Sequence, residues 1–257
     1  MAEFGVSSCL LVLPTGHHAV DEAEVLEKVS PHLVREQVVH HLEAAGIRVF
    51  LADGVSPHVE PERAWHHEWA HVRAQVLAGD VHALGELVVR DGSHRALRMV
   101  DAHIELAREA QVPLLVAHTP HLEPRWQAAL QERAQSLPKL WHWTRVSPAF
   151  ALEALSDGQR VIAAVSGRDF PRRDLAWLLG ELTPEQVSRL AIGSSRGRGL
   201  NPFALAASEM LFDEQGWGGL RGSLLEQPTL LGLLDARPLD VASGGAVGTC
   251  CVGFSPL

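Results

Sequence analysis

The feature that most constrains this chain is an alternation. Short apolar runs end in Gly, Asp, Ser or His, and each then gives way to a stretch with helical spacing. Cys9 to Leu13, Ile47 to Ala52, Glu86 to Val89, Pro113 to Ala117, Lys139 to Val146 and Arg160 to Val165 read as strands. The helical stretches are clearest over Pro61 to Ala78, Arg95 to Ala110, Pro124 to Gln135 and Arg172 to Leu182. The punctuation agrees with this. Gly46 stands where a helix C-terminus wants a left-handed residue, and Ser147-Pro148 suits a helix start. Thr183-Pro184-Glu185-Gln186 has the form of a capping box.

Strand followed by helix, repeated, specifies an α/β protein with a mostly parallel sheet and helices on both faces. An open, doubly wound sheet is the first reading. Two similar lobes meeting near residue 136 come second. A closed eight-stranded barrel comes third, because the chain's end, Ala246 to Phe254, reads as strand and not helix. Residues 1–257 are taken as a single α/β domain, and 46% hydrophobic residues suffice for a large core.

Charge narrows the partners. A net charge of -9 argues against a nucleic-acid backbone, which needs a basic face. No apolar run is long enough to span a membrane. The N-terminus lacks a basic segment and a cleavage pattern, so no signal peptide is read. Cys9, Cys250 and Cys251 form no spaced framework, which fits a reducing, cytoplasmic setting.

Ligands of parallel sheets sit beyond the carboxyl ends of the strands. The residues expected there are His17 and His18, then Asp53, then Asp91, Ser93 and His94, then His118 and His121. Ser166, Arg168 and Asp169 follow, then Ser194, Ser195, Arg196 and Arg198. The stretch RLAIGSSRGRGLNPFALAASEM, from Arg189, reads as strand, tight loop and helix, with Asn201 and Pro202 suited to the helix start. Its loop, Gly193, Ser194, Ser195, Arg196, Gly197 and Arg198, offers free amides, hydroxyls and two guanidinium forks. It reads as an anion site for a small, nucleotide-like ligand, with a solvated, charged turn as the plain alternative.

Two further patterns carry chemistry. His67-Glu68-Trp69-Ala70-His71 is an HExxH. On a helix His67 and His71 share a face and could hold zinc, with Glu68 as base for a bound water. Trp65, Trp69, Val72 and Val76 form a separate packing stripe. Asp91 to Val116 runs strand end, Asp-Gly-Ser loop, helix bearing Glu105, strand. This segment resembles nucleoside deoxyribosyltransferases. That resemblance implies Glu105 as a nucleophile at a ribosyl carbon; Asp91 is taken as a second catalytic residue, and Ser93 as facing the ligand. The residue spacing alone also accommodates Glu105 on a solvated helix face.

Gly16-His17-His18 after the first strand, with His94 and His118 after later ones, resembles the class II tetrapyrrole chelatases. The second glycine of that family's Gly-His-Gly is a histidine here. The expectation is therefore a binder of a small anionic ligand that cleaves or transfers a glycosidic bond. A zinc-dependent hydrolase is the alternative, and a chelatase-like enzyme or a non-catalytic sensor the next.

Overall fold

Three helix starts fall where a side chain satisfies a free backbone group. The computed structural model describes residues 8–12, 39–58, 62–137, 140–156, 161–166, 172–187, 189–194 and 249–253. The strands are β1 (Ser8–Val12), β2 (Arg48–Asp53), β3 (Ala83–Val88), β4 (Leu114–Ala117), β5 (Trp141–Val146), β6 (Ile162–Ser166), β7 (Leu190–Ser194) and β8 (Thr249–Gly253). Among the described residues, besides the helical residues 39–44, the helices are α1 (Glu62–Ala78), α2 (His94–Ala110), α3 (Pro124–Ser136), α4 (Pro148–Ser156), α5 (Arg172–Glu181) and α6 (Pro184–Val187).

Ser93 Oγ accepts from the Ala96 amide at 3.1 Å and starts α2. Ser147 Oγ does the same for the Phe150 amide at 3.2 Å and starts α4. The box at α6 is reciprocal: the Thr183 amide donates to Gln186 Oε1 at 2.8 Å, and the Gln186 amide to Thr183 Oγ1 at 3.3 Å. Gly46 ends the helical residues 39–44 with φ of 76°.

All strand pairs are parallel, and the order is sequential from β1 to β8. β8 pairs with both β7 and β1, so the sheet closes into a barrel. The α/β class and the parallel sheet flanked by helices are those the sequence implies, but the helices, expected on both faces, lie on one. The winding differs from an open, doubly wound sheet. Such a sheet reverses its strand order at a switch point, whereas here every crossover steps the same way until the last strand meets the first. Helices therefore cover the outer face, and side chains fill the inner one. β4 and β5 pair directly across the stretch around residue 136.

The two faces of each strand meet different environments. Leu10, Phe50, Ala52, Ala83, Leu115, Ile162, Ala164 and Ala191 form the barrel interior. Leu114, Val116, Trp141 and Trp143 face outward into the larger cluster shared with the helices. Within α2, Leu97, Val100, Ile104 and Ala107 are all buried, as their helical spacing requires. On α1 the expected stripe holds: Trp65, Val72 and Val76 are buried, and Trp69 stacks on Trp65 at 5.3 Å. Among the described residues no helix is long and apolar enough to cross a membrane.

Candidate functional site

The carboxyl ends of β3 and β5 carry the polar groups that the barrel brings together. Glu86, in the second half of β3, has its side chain only 12% exposed. One carboxylate oxygen accepts from the Thr144 hydroxyl, and the other pairs with the Arg145 guanidinium. Thr144 and Arg145 are consecutive, so simple strand alternation would point them to opposite faces. Arg145 escapes that alternation through a left-handed backbone, φ 55°. The arrangement is a carboxylate held by a hydroxyl and a guanidinium. Arg145 remains 45% exposed at the mouth.

One layer down, on the same strand, lies His142. Its register partners are Leu115 and Ile162, both of the barrel interior, so its ring faces inward. It is 0% exposed, and among the described residues no group bonds either ring nitrogen. Burial pushes its pKa down to about 4, leaving a neutral imidazole at physiological pH. His118, one residue beyond β4, is not brought to His142. Its amide donates to the Thr144 carbonyl at 2.8 Å, while its ring stacks on Phe150 with centroids 3.9 Å apart. Burial lowers its pKa as well, opposed by Glu153.

No protein-family model matches the chain, and no curated protein sequence matches it significantly. Among solved structures, the crystal structure of an uncharacterized amidohydrolase from Saccharomyces cerevisiae is similar in shape, with a TM-score of 0.43 and 10% identity. The match covers 75% of this chain and 65% of that one, so less than two thirds of the yeast protein is spanned.

The residues singled out from sequence are scattered over this frame. Asp91 and Ser93 are together on the exposed loop after β3. There the Ser93 amide donates to Asp91 Oδ1 at 3.1 Å, which holds the Asp91 carboxyl below its usual range; the nearby His58 adds to this. The Ser93 hydroxyl is occupied as the helix cap. Glu105 is exposed on α2, roughly 18 Å down the helix from Ser93 at the usual rise per residue, so it does not join them. His67 and His71 are both exposed on α1. Between them Glu68 is pushed up in pKa by burial and then by Asp53, against His67. Among the described residues no three His, Cys, Asp or Glu side chains converge to hold a metal. Gly193 and Ser194 end β7, with Gly193 level with Ser166 and Cys251. Ser195, Arg196, Gly197 and Arg198 lie outside the described residues, as do His17 and His18.

Glu86, Thr144, Arg145 and His142 are the residues that sequence reasoning missed. A strand read from Glu86 places that carboxylate at its start, far from the mouth; the strand in fact begins at Ala83. The available signal was a lone acid inside an apolar run, ALGELVV, with a glycine before it.

Proposed function

We propose that the protein binds a small anionic substrate at the carboxyl mouth of its barrel and hydrolyses it, with Arg145 holding the anion and Glu86 acting as general base. The observation that carries this reading is the Glu86–Thr144–Arg145 cluster at that end of the barrel. Parallel barrels carry their chemistry at this face, on residues from the ends of several strands.

At rest the charges of Glu86 and Arg145 offset each other. A phosphate or carboxylate ligand competes for the guanidinium, whose fork matches two anionic oxygens. As Arg145 turns to the ligand, Glu86 keeps its Thr144 hydrogen bond and loses its counter-charge. It is then a largely buried carboxylate facing the bound molecule, able to take a proton from an attacking water. The neutral His142 ring lies beneath, within the same column of inward-facing residues.

The test uses inorganic phosphate as the probe, with binding followed by thermal shift. Arg145→Gln is expected to weaken binding about 10- to 100-fold, the usual worth of a hydrogen bond to a charged group. Glu86→Gln is expected to strengthen binding, because it removes the internal competitor for Arg145. Phosphate that binds Arg145→Gln as tightly as the unaltered protein would overturn the assignment.

A further inference from the structure

The loop of residues 54–58, between β2 and α1, is clasped by two histidines in the same chemical manner. At one end the Val55 amide donates to His103 Nε2 at 3.3 Å. At the other, His58 reaches from the loop to the next one, and its Nε2 accepts from the Arg90 amide at 2.9 Å. Between them the loop is braced by its own side chains. The Gly54 amide donates to Asp53 Oδ1 at 2.7 Å, and the His58 amide to Ser56 Oγ at 3.2 Å. The loop also lies on the site. A Cβ on Gly54 would stand 2.9 Å from the amide nitrogen of Gly85, the residue before Glu86.

Both rings have a fixed tautomer. A neutral imidazole offers one donor and one acceptor. The His103 Nδ1 lies 2.7 Å from the Met99 carbonyl oxygen, so it carries the hydrogen and leaves Nε2 as the acceptor for Val55. The His58 Nδ1 lies 3.5 Å from Asp91 Oδ2, which likewise places its hydrogen on that side. A second proton on either ring goes to Nε2. It turns the acceptor into a donor aimed at an N–H, so the hydrogen bond is lost and replaced by opposition.

The surroundings keep both rings neutral. His103 is 0% exposed, with Trp69 of α1 at 4.5 Å and Trp65 of α1 at 6.4 Å between centroids. Burial pushes its pKa down to about 4; the Met99 carbonyl of its own helix opposes this only in part, and no charged side chain contributes. His58 is held below its ordinary value chiefly by burial. Asp91, on the β3–α2 loop, pulls the other way, while Arg90 and Arg95 add to the depression.

We propose that His103 and His58 are positioning residues for the mouth: as neutral imidazoles they hold the 54–58 loop beside Glu86, and on taking a proton they release it. The inference rests on the reading of the Glu86 cluster as the binding site. Its consequence is that ligand affinity at the mouth falls as the two clasps take protons.

Hydrogen-exchange protection of single amides in the full chain tests this without any ligand, so its outcome is separate from that of the phosphate measurement. Protection at Val55 is expected to fall about tenfold per pH unit between about pH 6.5 and 4, the window between a free and a clasped His103. Arg90 is expected to follow His58 in the same direction. His103→Gln keeps a donor and an acceptor but does not titrate, so the slope at Val55 should vanish while that at Arg90 persists. Should this variant fail to fold, His58→Gln provides the converse: a flat Arg90 with Val55 still sloping. Protection at Val55 and Arg90 that is flat with pH in the unaltered protein, or a slope at Val55 that persists unchanged in His103→Gln, or one at Arg90 that persists unchanged in His58→Gln, overturns the proposal.

Discussion

Gly85→Ala is expected to lower stability by about 3 to 5 kcal/mol, one of the largest effects of any single methyl group in this protein. Two independent costs add at this position. Gly85 has φ of 100°, a conformation that an L side chain rarely adopts. An added Cβ would also lie 2.3 Å from the carbonyl oxygen of Leu115 on β4 and 3.0 Å from the amide nitrogen of Leu87. Both are backbone atoms, so no side-chain rotation relieves the contact. β4 must move away from β3, at the place where their register already shifts between Leu84 and Leu87. Gly79 separates the two costs. It has φ of 89° but nothing within 4 Å of its Cβ position. Gly79→Ala should therefore bear only the backbone cost, about 1 kcal/mol. Urea midpoints at unchanged m-value measure both. A Gly85→Ala variant no less stable than Gly79→Ala would show that the β3–β4 contact yields freely. Because Glu86 is the next residue, the same displacement should also weaken phosphate binding at the mouth.

Much of the frame was legible because it is local. Helix starts at Ser147 and Thr183 depend on groups within three residues, and the sequence shows them directly. The buried face of α2 follows from spacing in the same way. Barrel closure is not local. Open and closed parallel sheets share one repeating strand–helix pattern, and they differ in whether the last strand finds the first. Here Leu10 on β1 lies level with Phe50 on β2 and with Cys251 on β8, a pairing between the two ends of the chain. Ala246 to Phe254, read as strand and so as pointing away from a barrel, contains the strand that closes this one.

The site was harder to read for a related reason. Polar residues after a strand advertise themselves, and Asp91 and Ser93 lie exposed on the loop after β3. Both are engaged there, in the loop and in the helix cap. The groups that meet across the mouth come from within strands. KLWHWTRV alternates and reads as a half-buried strand. Closure removes the water. Trp141 and Trp143 pack against helices, and His142 and Thr144 are buried as well, on the barrel's inner side. The alternation was right, but the second face proved to be an interior, which turns an ordinary polar residue into a costly one.

That cost leads to the second large effect. His142→Leu is expected to stabilise the protein by about 1 to 3 kcal/mol at pH 7.5, since an apolar side chain of similar volume replaces a buried ring that bonds none of the described residues. The sign of the pH dependence follows from the direction of the shift. The pKa of His142 is about 4 when folded, below the ordinary 6.5. Above pH 6.5 the ring is neutral in both states and the fold loses nothing. As pH falls from 6.5 toward 4, the unfolded chain binds a proton that the folded one refuses, and stability declines. The full loss is about 3 kcal/mol, and leucine abolishes it. The advantage of His142→Leu should therefore widen between pH 7.5 and 4.5, as read from denaturant midpoints at the two values. His103 titrates over the same window and persists in the variant, so some acid sensitivity must remain. A destabilised His142→Leu at pH 7.5 would mean that the ring has partners in solution. A stabilised variant that no longer binds phosphate would mean that a buried, unbonded imidazole is retained under the Glu86 cluster for what it does to the ligand, at the expense of the fold.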